Sequence, residues 1–273
     1  MNNYQQFKNT VMEHYGEHGR HDLPWRINQS PYYVLVSEIM LQQTQVDRVI
    51  PFFNRWMENF PDIQTLAAAK QTDVLRLWKG LGYNSRALRL QKSAQVIVGH
   101  YSGVVPENYQ LLLDLPGIGP YTAAALMNFA FNTWTPLIET NIRRIFIHHF
   151  FSDQVDVADS DLMDMIERVG MYDDARTWVA ALMDYGSTLP KIIKHNPNTR
   201  SKHYTKQSKF QGSDRQIRGK ILDLLLNAKN HRIGIDDLYK QLGDESNRYE
   251  KITKQLVSEN FITINKKSIK LVE

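Results

Sequence analysis

The stretch "LDLPGIGPYTAAAL" (Leu113–Leu126) says more about the fold than any other part of this chain. Gly117 and Gly119 predict a tight turn between two helices, and Pro120 suits the first position of the second helix. Glycines let main-chain N–H groups approach a phosphate, and a helix N-terminus favours negative charge there. The stretch therefore predicts a helix-hairpin-helix, which grips a nucleic-acid backbone irrespective of base sequence. An ordinary turn between two helices is the alternative.

The composition excludes several classes of protein. The chain has 273 residues, enough for two or three modules, and a net charge of +4, a weak indication of a polyanionic partner. It contains no cysteine, which excludes disulfides, thiolate-held iron–sulfur clusters and Cys-ligated zinc. No apolar run reaches the roughly 18 residues that a membrane helix needs. The N-terminus is polar and carries no secretory signal. We therefore expect a cytoplasmic protein without membrane contact.

The chain changes character twice along its length. Residues 1–189 have the helical period almost throughout, with short turns between segments. Pro190–Ser213 then contains six lysines and arginines and no acid. Charge of one sign predicts a basic linker that follows DNA phosphates, with Lys202, Lys206 and Lys209 as its contacts. A solvated tether is the alternative.

The last segment, residues 214–273, reads as a separate unit. Three amphipathic helices are followed by a short β-hairpin whose turn is Asn265–Lys267. Three helices and a hairpin are the order of a winged helix, which places its third helix in a DNA groove or on a protein partner. The third helix carries both acids and bases, so the sequence does not choose between these two roles.

Two glutamates stand out against their surroundings. Glu38 lies in "VLVSEIMLQQTQV", an apolar helical pattern with no Lys or Arg within one turn. A buried acid resists ionisation, so its pKa should rise; a snorkelling or backbone-paired glutamate is the alternative. Glu139 precedes the helix that begins "TNIRRIF". Such a residue usually stabilises the helix dipole, but 20 residues after Gly119 it can also reach a nucleotide held by the hairpin.

Six motifs together resemble one family. The chain resembles the endonuclease III superfamily of helix-hairpin-helix DNA glycosylases and, within it, the MutY-type adenine glycosylases. The block "SEIMLQQTQV" is specific to the adenine branch. The matching pieces keep the family's order and spacing across about residues 20–190: Leu23–Arg26, Pro31–Val46, Gly80–Ala87, Leu115–Leu126, Ile138–Arg144 and Ala181–Gly186.

The resemblance implies an all-α fold of two helical modules with a small winged-helix-like α+β domain. The first module, residues 24–132, has six helices and includes the hairpin. The second combines residues 1–23 and 133–189. Residues 190–213 form the basic linker and 214–273 the winged-helix-like domain.

Three features depart from the family pattern. The catalytic aspartate of the family falls on Glu139, which is one methylene longer. The four cysteines that hold the family's iron–sulfur cluster are missing, and the basic segment takes their place in the sequence. The C-terminal domain that reads 8-oxoguanine in many members is replaced by the winged-helix-like unit.

The resemblance implies the chemistry of base excision. A glycosylase flips a base out of the duplex and breaks its bond to C1′ through an oxocarbenium-like transition state. Adenine leaves easily only when it is protonated, and N7 is its accessible basic nitrogen. Glu38, kept protonated by burial, is the predicted general acid at N7. Glu139 is the predicted carboxylate that stabilises the sugar cation and its covalent or water adduct.

The other site residues follow from the same motifs. Tyr121 stands where the lyase branch carries a Schiff-base lysine, so the resemblance implies a monofunctional glycosylase. Tyr121 and Asn141 are expected to hydrogen-bond the reacting carboxylate or water. The remaining candidates bind substrate or DNA: Arg26, Asp184, the hairpin glycines Gly117 and Gly119, and Gln43 and Tyr83, which would fill the gap left by the flipped base. A core role for Tyr83 is the alternative.

The expected partner is double-stranded DNA with mismatched or oxidised base pairs, bound by a monomer. We expect no metal site and no iron–sulfur cluster, although the hairpin is a candidate site for a monovalent cation. Two other functions remain open. A thymine or uracil glycosylase for G mismatches would not need an acid at N7. A catalytically silent DNA-binding protein would be consistent with the change at Glu139.

Overall fold

The computed structural model describes residues 3–205, 209–243 and 246–272. Helices dominate these residues, and no helix among them is long and apolar enough to cross a membrane. The helices and strands, in chain order within each type, are α1 (Asn3–His18), α2 (Pro24–Ile27), α3 (Pro31–Leu41), α4 (Val46–Asn59), α5 (Ile63–Ala68), α6 (Gln71–Trp78), α7 (Ser85–Tyr101), α8 (Tyr109–Leu113), α9 (Pro120–Phe129), α10 (Thr140–Phe150), α11 (Asp159–Val169), α12 (Ala175–Ile193), α13 (Asp214–Asn227), α14 (Ile235–Leu242), α15 (Ser246–Ser258), β1 (Arg232–Gly234), β2 (Ile262–Ile264) and β3 (Ser268–Leu271).

The chain divides into two compact units. The first combines Met1–Ile39 with Val105–Lys206, and the second combines Met40–Val104 with Gln207–Glu273. This division differs from the module boundaries expected from the sequence, which joined residues 24–132 and separated 214–273. The reason lies in an apolar cluster of the second unit. Leu75 of α6 and Leu88 of α7 share that cluster with α13, α14, α15 and the sheet.

The first unit has a core built from α1, α9, α10, α11 and α12. Ile142, Ile145 and Phe146 of α10 follow the i, i+3, i+4 spacing and are all buried. The ring centroid of Phe7 lies 5.4 Å from that of Phe146 in an edge-to-face arrangement. Helix α9, which follows the glycine turn, is held in the same core by Ala124 and Ala125.

The predicted helix-hairpin-helix is confirmed. Asn108 caps the N-terminus of α8, and its side chain accepts hydrogen bonds from two main-chain N–H groups of the first turn. Gly117 has a φ of 82°, a left-handed conformation that glycine adopts without strain. Gly119 caps α9 and Pro120 is its first residue. Among the described residues, nothing lies within 4 Å of where a Cβ at Gly119 would be, so the turn is open on that side.

Residues 214–273, which belong to the second unit and are called the C-terminal domain below, contain in their described part α13, α14 and α15 and a three-stranded sheet in the order β1-β3-β2. The three helices and the terminal hairpin lie where the sequence predicted them. Strand β1 was not predicted. Its three residues are too few to show a strand period, and it exists because Ile233 pairs with Ile269 of β3. In α15, Arg248 pairs with Asp214 (2.8 Å) and Lys254 with Glu250 (2.7 Å), so both bases take part in ion pairs within the chain.

The segment expected to be a basic linker, residues 190–213, is in large part packed on the first unit. Helix α12 continues to Ile193, and a 3-10 turn follows at Pro197–Arg200. The main chain then pairs with Val157, whose N–H donates to Arg200 O (2.9 Å) and whose carbonyl accepts from Lys202 N (3.0 Å). The side chains of Asn196 and Asn198 form hydrogen bonds that hold this segment in place. The charge pattern does not reveal these bonds, so it predicted a linker where the chain is packed. The Lys202 and Lys209 side chains are exposed, and Lys206 lies outside the described residues.

The family's iron–sulfur cluster does not fit this chain, because the thiolate donors are missing. In the same region, Asn198 donates from Nδ2 to Thr140 O (2.9 Å) and is itself buried. We predict that the purified protein contains no iron and that a strong chelator leaves its unfolding temperature unchanged. Elemental analysis and thermal unfolding with and without the chelator measure this. Stoichiometric iron, or a lower unfolding temperature after chelation, would contradict it.

Candidate active site

Glu38 is buried in α3 with a single described hydrogen-bond partner. Its side chain is 4% exposed, and the Tyr121 hydroxyl donates to Oε2 over 2.9 Å. Burial raises the pKa of Glu38 to about 7; the hydrogen bond from Tyr121 opposes this shift, and the charge of Glu139 adds to it. Burial also raises the pKa of Tyr121 well above its usual value, so Tyr121 remains a donor. The site therefore holds a carboxylic acid that is substantially protonated at neutral pH.

Glu139 caps the N-terminus of α10. Its Oε1 accepts hydrogen bonds from Asn141 N (2.6 Å) and Ile142 N (2.7 Å), and Asn141 Nδ2 donates to Oε2 (3.2 Å). Burial raises the pKa of Glu139 to about 7, while the two main-chain donors lower it. All three donors and the helix N-terminus favour the charged form. Glu139 and Glu38 interact electrostatically but differ in their hydrogen-bond partners: Glu139 accepts from three donors, and Glu38 accepts from the Tyr121 hydroxyl.

A network behind Glu139 fixes the first turn of α10. Arg144 donates from Nη1 to Asn141 Oδ1 (2.9 Å) and to Gly186 O (2.5 Å), and from Nε to Asn196 Oδ1 (3.2 Å). The Gly186 carbonyl is available because Pro190, four residues further along α12, has no N–H to donate to it. A proline inside a helix thus provides the acceptor that anchors Arg144. The proline is the one sign of this role in the sequence.

Gly186 is required by the close approach of α12 to α10. A Cβ at this position would lie 2.3 Å from Asn141 O and 2.8 Å from Asn141 Cβ. Real side chains do not approach a backbone oxygen this closely, so any larger residue must displace the turn that holds Glu139. The motif "ALMDYG" pointed to this region, but the structure identifies the glycine as the residue that sets the distance.

Arg26 and Asp184, two predicted substrate or DNA contacts, bind each other. Asp184 is 1% exposed and accepts from Arg26 Nη1 (2.6 Å), Arg26 Nη2 (3.0 Å), Arg20 N (2.8 Å) and Arg20 Nε (2.8 Å). Burial raises the pKa of Asp184, but the hydrogen bonds and charges of the two arginines outweigh it and the net pKa is lowered. We infer a structural ion pair that joins α2 and the preceding loop to α12. Arg20 was missed because its partner is 164 residues away.

Gln43 and Tyr83 belong to the second unit and share an unusual backbone conformation. Their φ values are 56° and 49°, in the left-handed region that residues with a Cβ rarely occupy. Arg86 braces both loops: it donates to Met40 O (2.8 Å), Gln42 O (2.7 Å) and Gly82 O (3.0 Å). Tyr83 is only half-buried, which argues against a core role. Strained residues held by a rigid frame are common at functional sites.

No group of three or more His, Cys, Asp or Glu side chains in the described part of the chain could hold a metal ion.

The predicted site residues fall into two sets, one in each unit. Glu38, Tyr121, Glu139 and Asn141 lie together in the first unit, where α9 carries Tyr121 two residues after the glycine turn. Gln43 and Tyr83 lie in the second unit.

Comparison with known proteins identifies the family. The model for the HhH-GPD superfamily base excision DNA repair protein matches residues 36–168. The adenine DNA glycosylase of Mycolicibacterium smegmatis is 39% identical over 227 residues, covering 77% of this chain and 77% of that protein. The chain belongs to the HhH-GPD superfamily. The resemblance to its adenine glycosylase branch is confirmed by this relative and by the one that follows.

Two further comparisons define the extent of the likeness. The adenine DNA glycosylase of Buchnera aphidicola subsp. Acyrthosiphon pisum is 37% identical over 193 residues, which are 69% of this chain and 55% of that protein. The chain therefore spans about half the length of this relative. The structure of a thermostable thymine-DNA glycosylase has a TM-score of 0.61 and 26% sequence identity, and covers 68% of this chain and 86% of that chain.

Substitution of Gly186 tests whether the spacing of α10 and α12 positions the HhH-GPD site. Gly186→Ala should lower the single-turnover rate of base excision by about 100-fold, because a displacement of about 1 Å in a positioned group can reduce a rate by this much. Thermal unfolding should still be cooperative, with a loss of about 1–3 kcal/mol from overpacking.

Gly16→Ala is the matched control. A Cβ at Gly16 meets nothing within 4 Å in α1, so this variant should keep its rate and gain about 0.5–1 kcal/mol of stability. A Gly186→Ala protein with the parent's rate would show that the contact with Asn141 does not position the site.

Proposed function

We propose that this protein is a monofunctional DNA glycosylase that hydrolyses the N-glycosidic bond of adenine mispaired with guanine or 8-oxoguanine. The proposal rests above all on Glu38, a buried acid whose only described partner is the Tyr121 hydroxyl. Excision of a purine needs a proton donor at a poor leaving group, and this arrangement supplies one at neutral pH. The adenine glycosylases among the relatives support the choice of base.

The reaction begins with protonation of the leaving base. The flipped adenine enters the site beside α3, and Glu38 donates its proton to N7 as the bond to C1′ lengthens. The transition state has oxocarbenium character, so electron density moves from the glycosidic bond onto the base. The neutral form of Glu38 is essential because an ionised carboxylate cannot donate. Tyr121 keeps the acid oriented without removing its proton.

Glu139 stabilises the positive charge that develops on the sugar. A fixed carboxylate is effective here because it need not reorient during the reaction. Its three hydrogen-bond donors set both the orientation and the charge, so the side chain is in place before substrate binds. Asn141 holds the oxygen that is not bonded to the helix main chain. Water then completes hydrolysis at C1′, or opens an adduct formed with the carboxylate.

The chain should leave an abasic site without cutting the strand. A lyase needs an amine to form a Schiff base with C1′, and the phenol of Tyr121 cannot form one. Glu38 already binds the Tyr121 hydroxyl, which assigns this tyrosine to the acid rather than to the sugar.

The other predicted contacts bind double-stranded DNA, and the protein binds it as a monomer. The open main chain at Gly117 and Gly119 is suited to a phosphate on one side of the lesion, and the hairpin is also a candidate site for a monovalent cation. Exposed Lys202 and Lys209 add positive charge that follows the backbone. Gln43 and Tyr83 fill the space that the extruded base leaves.

A thymine glycosylase is the second candidate function, because one of the similar structures is a thymine-DNA glycosylase. Thymine has no N7, so the acid Glu38 would have no role at that position. The sequence identity to two adenine glycosylases, 37% and 39%, exceeds the 26% identity to the thymine glycosylase, which also favours adenine. The two functions differ in a direct measurement of the released base.

The decisive experiment measures base release from duplexes that contain A·8-oxoguanine, A·G, T·G or U·G. We expect free adenine from the first two, with the strand intact until it is treated with alkali. Glu38→Gln should still bind these duplexes but lose about 10²–10⁴-fold in single-turnover rate, because the amide keeps the shape and lacks the proton.

Glu167→Gln in α11 is the matched control, since Glu167 is exposed and should tolerate the change. Release of thymine or uracil in place of adenine would support the second candidate. A Glu38→Gln rate within twofold of the parent would remove Glu38 from the mechanism.

The pH dependence of single-turnover excision should be bell-shaped with a maximum near neutral pH. Above a pKa of about 7 Glu38 loses the proton it must donate, and below a pKa of about 7 Glu139 loses the charge it must present. The two limbs report the coupled pair. Tyr121→Phe removes a hydrogen bond that lowers the pKa of Glu38, so its alkaline limb should move to higher pH.

Tyr172→Phe is the matched control. It removes the hydroxyl of a half-buried tyrosine that has no assigned role at the site, so it should leave the pH profile unchanged. An alkaline limb that stays in place in Tyr121→Phe would separate that limb from Glu38.

A further inference from the structure

Tyr83 is held by a residue of the C-terminal domain. Arg215, the second residue of α13, donates from Nη1 to the Tyr83 hydroxyl, and its guanidinium carbon lies 5.3 Å from the centroid of the Tyr83 ring. Arg86 lies near the same ring, with its guanidinium carbon 5.5 Å from the centroid. Both arginines and the tyrosine belong to the second unit. One aromatic ring therefore contacts two guanidinium groups, and one of them comes from outside the family's matched region.

The contact between Arg215 and Tyr83 faces open space. A cavity of about 840 Å³ is lined by both residues together with Gln43, Asn84 and Gln216. The side chain of Arg215 is only half-buried at this wall. The lining combines apolar side chains with amide, hydroxyl and guanidinium groups that can form hydrogen bonds.

The two arginines have different roles in fixing Tyr83. Arg86 is buried and binds main-chain carbonyls, so it fixes the backbone of the loop. Arg215 binds the hydroxyl end of the ring through its hydrogen bond. A wedge must hold its ring in one orientation while base pairs press against it, because unstacking a base step costs free energy. The hydrogen bond from Arg215 restricts the ring in this way.

We propose that Arg215 is a positioning residue for base extrusion. It locks the Tyr83 ring in the orientation of a wedge, and the C-terminal domain thereby takes part in opening the base pair. The inference rests on the proposed role of Tyr83 at the gap left by the flipped base. It assigns to α13 a task distinct from base reading by the third helix of the domain, and it explains why an added domain has its own contact at the lesion-facing loop.

Fluorescence of 2-aminopurine at the position of the target adenine, opposite guanine, reports extrusion separately from hydrolysis. In the full-length protein, Arg215→Ala should reduce the rate of the fluorescence rise and the single-turnover rate of adenine release by about tenfold, the effect of losing a hydrogen bond from a charged group. Affinity for a fully matched duplex should change by less than about twofold if the arginine acts through Tyr83 and not on phosphates.

A double-mutant cycle tests whether Arg215 acts through the tyrosine. Tyr83→Phe keeps the ring and removes the acceptor, so Arg215→Ala added to Tyr83→Phe should cost only about two- to threefold more. Arg218→Ala is the matched control, because Arg218 lies on the same helix and pairs with Glu259 (2.6 Å) instead of Tyr83. It should extrude the base at the parent's rate.

The outcomes separate this inference from the proposed function. Equal losses from Arg215→Ala in the parent and in Tyr83→Phe would overturn the positioning role. Unchanged extrusion in Arg215→Ala would do the same. A Tyr83→Ala protein that extrudes the base normally, or a parent that releases no adenine, would instead point to failure of the proposed function. Thermal unfolding of each variant shows whether a loss comes from misfolding.

Discussion

Two carboxyl groups that interact electrostatically must hold different protonation states in one partly dehydrated site. Burial alone would neutralise both Glu38 and Glu139, and a site with two neutral acids could protonate a base but could not stabilise a cation. The structure separates them by their hydrogen-bond partners. Glu38 is buried and accepts from the Tyr121 hydroxyl, while Glu139 accepts from two main-chain N–H groups of the first turn of α10. The charge of Glu139 then favours the protonated form of Glu38, which is the form that a proton donor needs.

This arrangement depends on where α10 begins, and much of the first unit serves to hold that point. Gly186 lets α12 approach Asn141, Pro190 leaves a carbonyl for Arg144, and the turn at Pro197–Arg200 closes on Thr140 through Asn198. Here side-chain amides and an arginine provide the contacts, and they need no cysteine. A short stretch of hydrogen bonds can do this because it secures one helical turn and not a whole module.

The sequence predicted the parts of the site whose signal is local. Glu38 was identified because an acid in an apolar helix is conspicuous, and the hairpin because glycine and proline have strong positional preferences. The contacts that fix the site were missed where partners lie far apart in the chain, as with Arg20 and Asp184, or Arg215 and Tyr83. Charge was also a poor guide to residues 190–205. Its basic residues predicted a linker that follows DNA phosphates, but Asn196 and Asn198 form hydrogen bonds within the first unit, and no charge pattern reports that.

Glu139 illustrates how a longer side chain can keep the position of a shorter one. Its Oε1 lies 2.6 Å from Asn141 N and 2.7 Å from Ile142 N, so the carboxylate is held at the helix end where a capping aspartate would also bind. The extra methylene is therefore accommodated between the backbone and the carboxylate, not by moving the charged group away from the helix. Because the helix N-terminus and the Asn141 amide determine where the charge lies, the length of the side chain matters less than the three donors. The departure from aspartate is thus compatible with the same electrostatic role, and what this role requires is the intact first turn of α10.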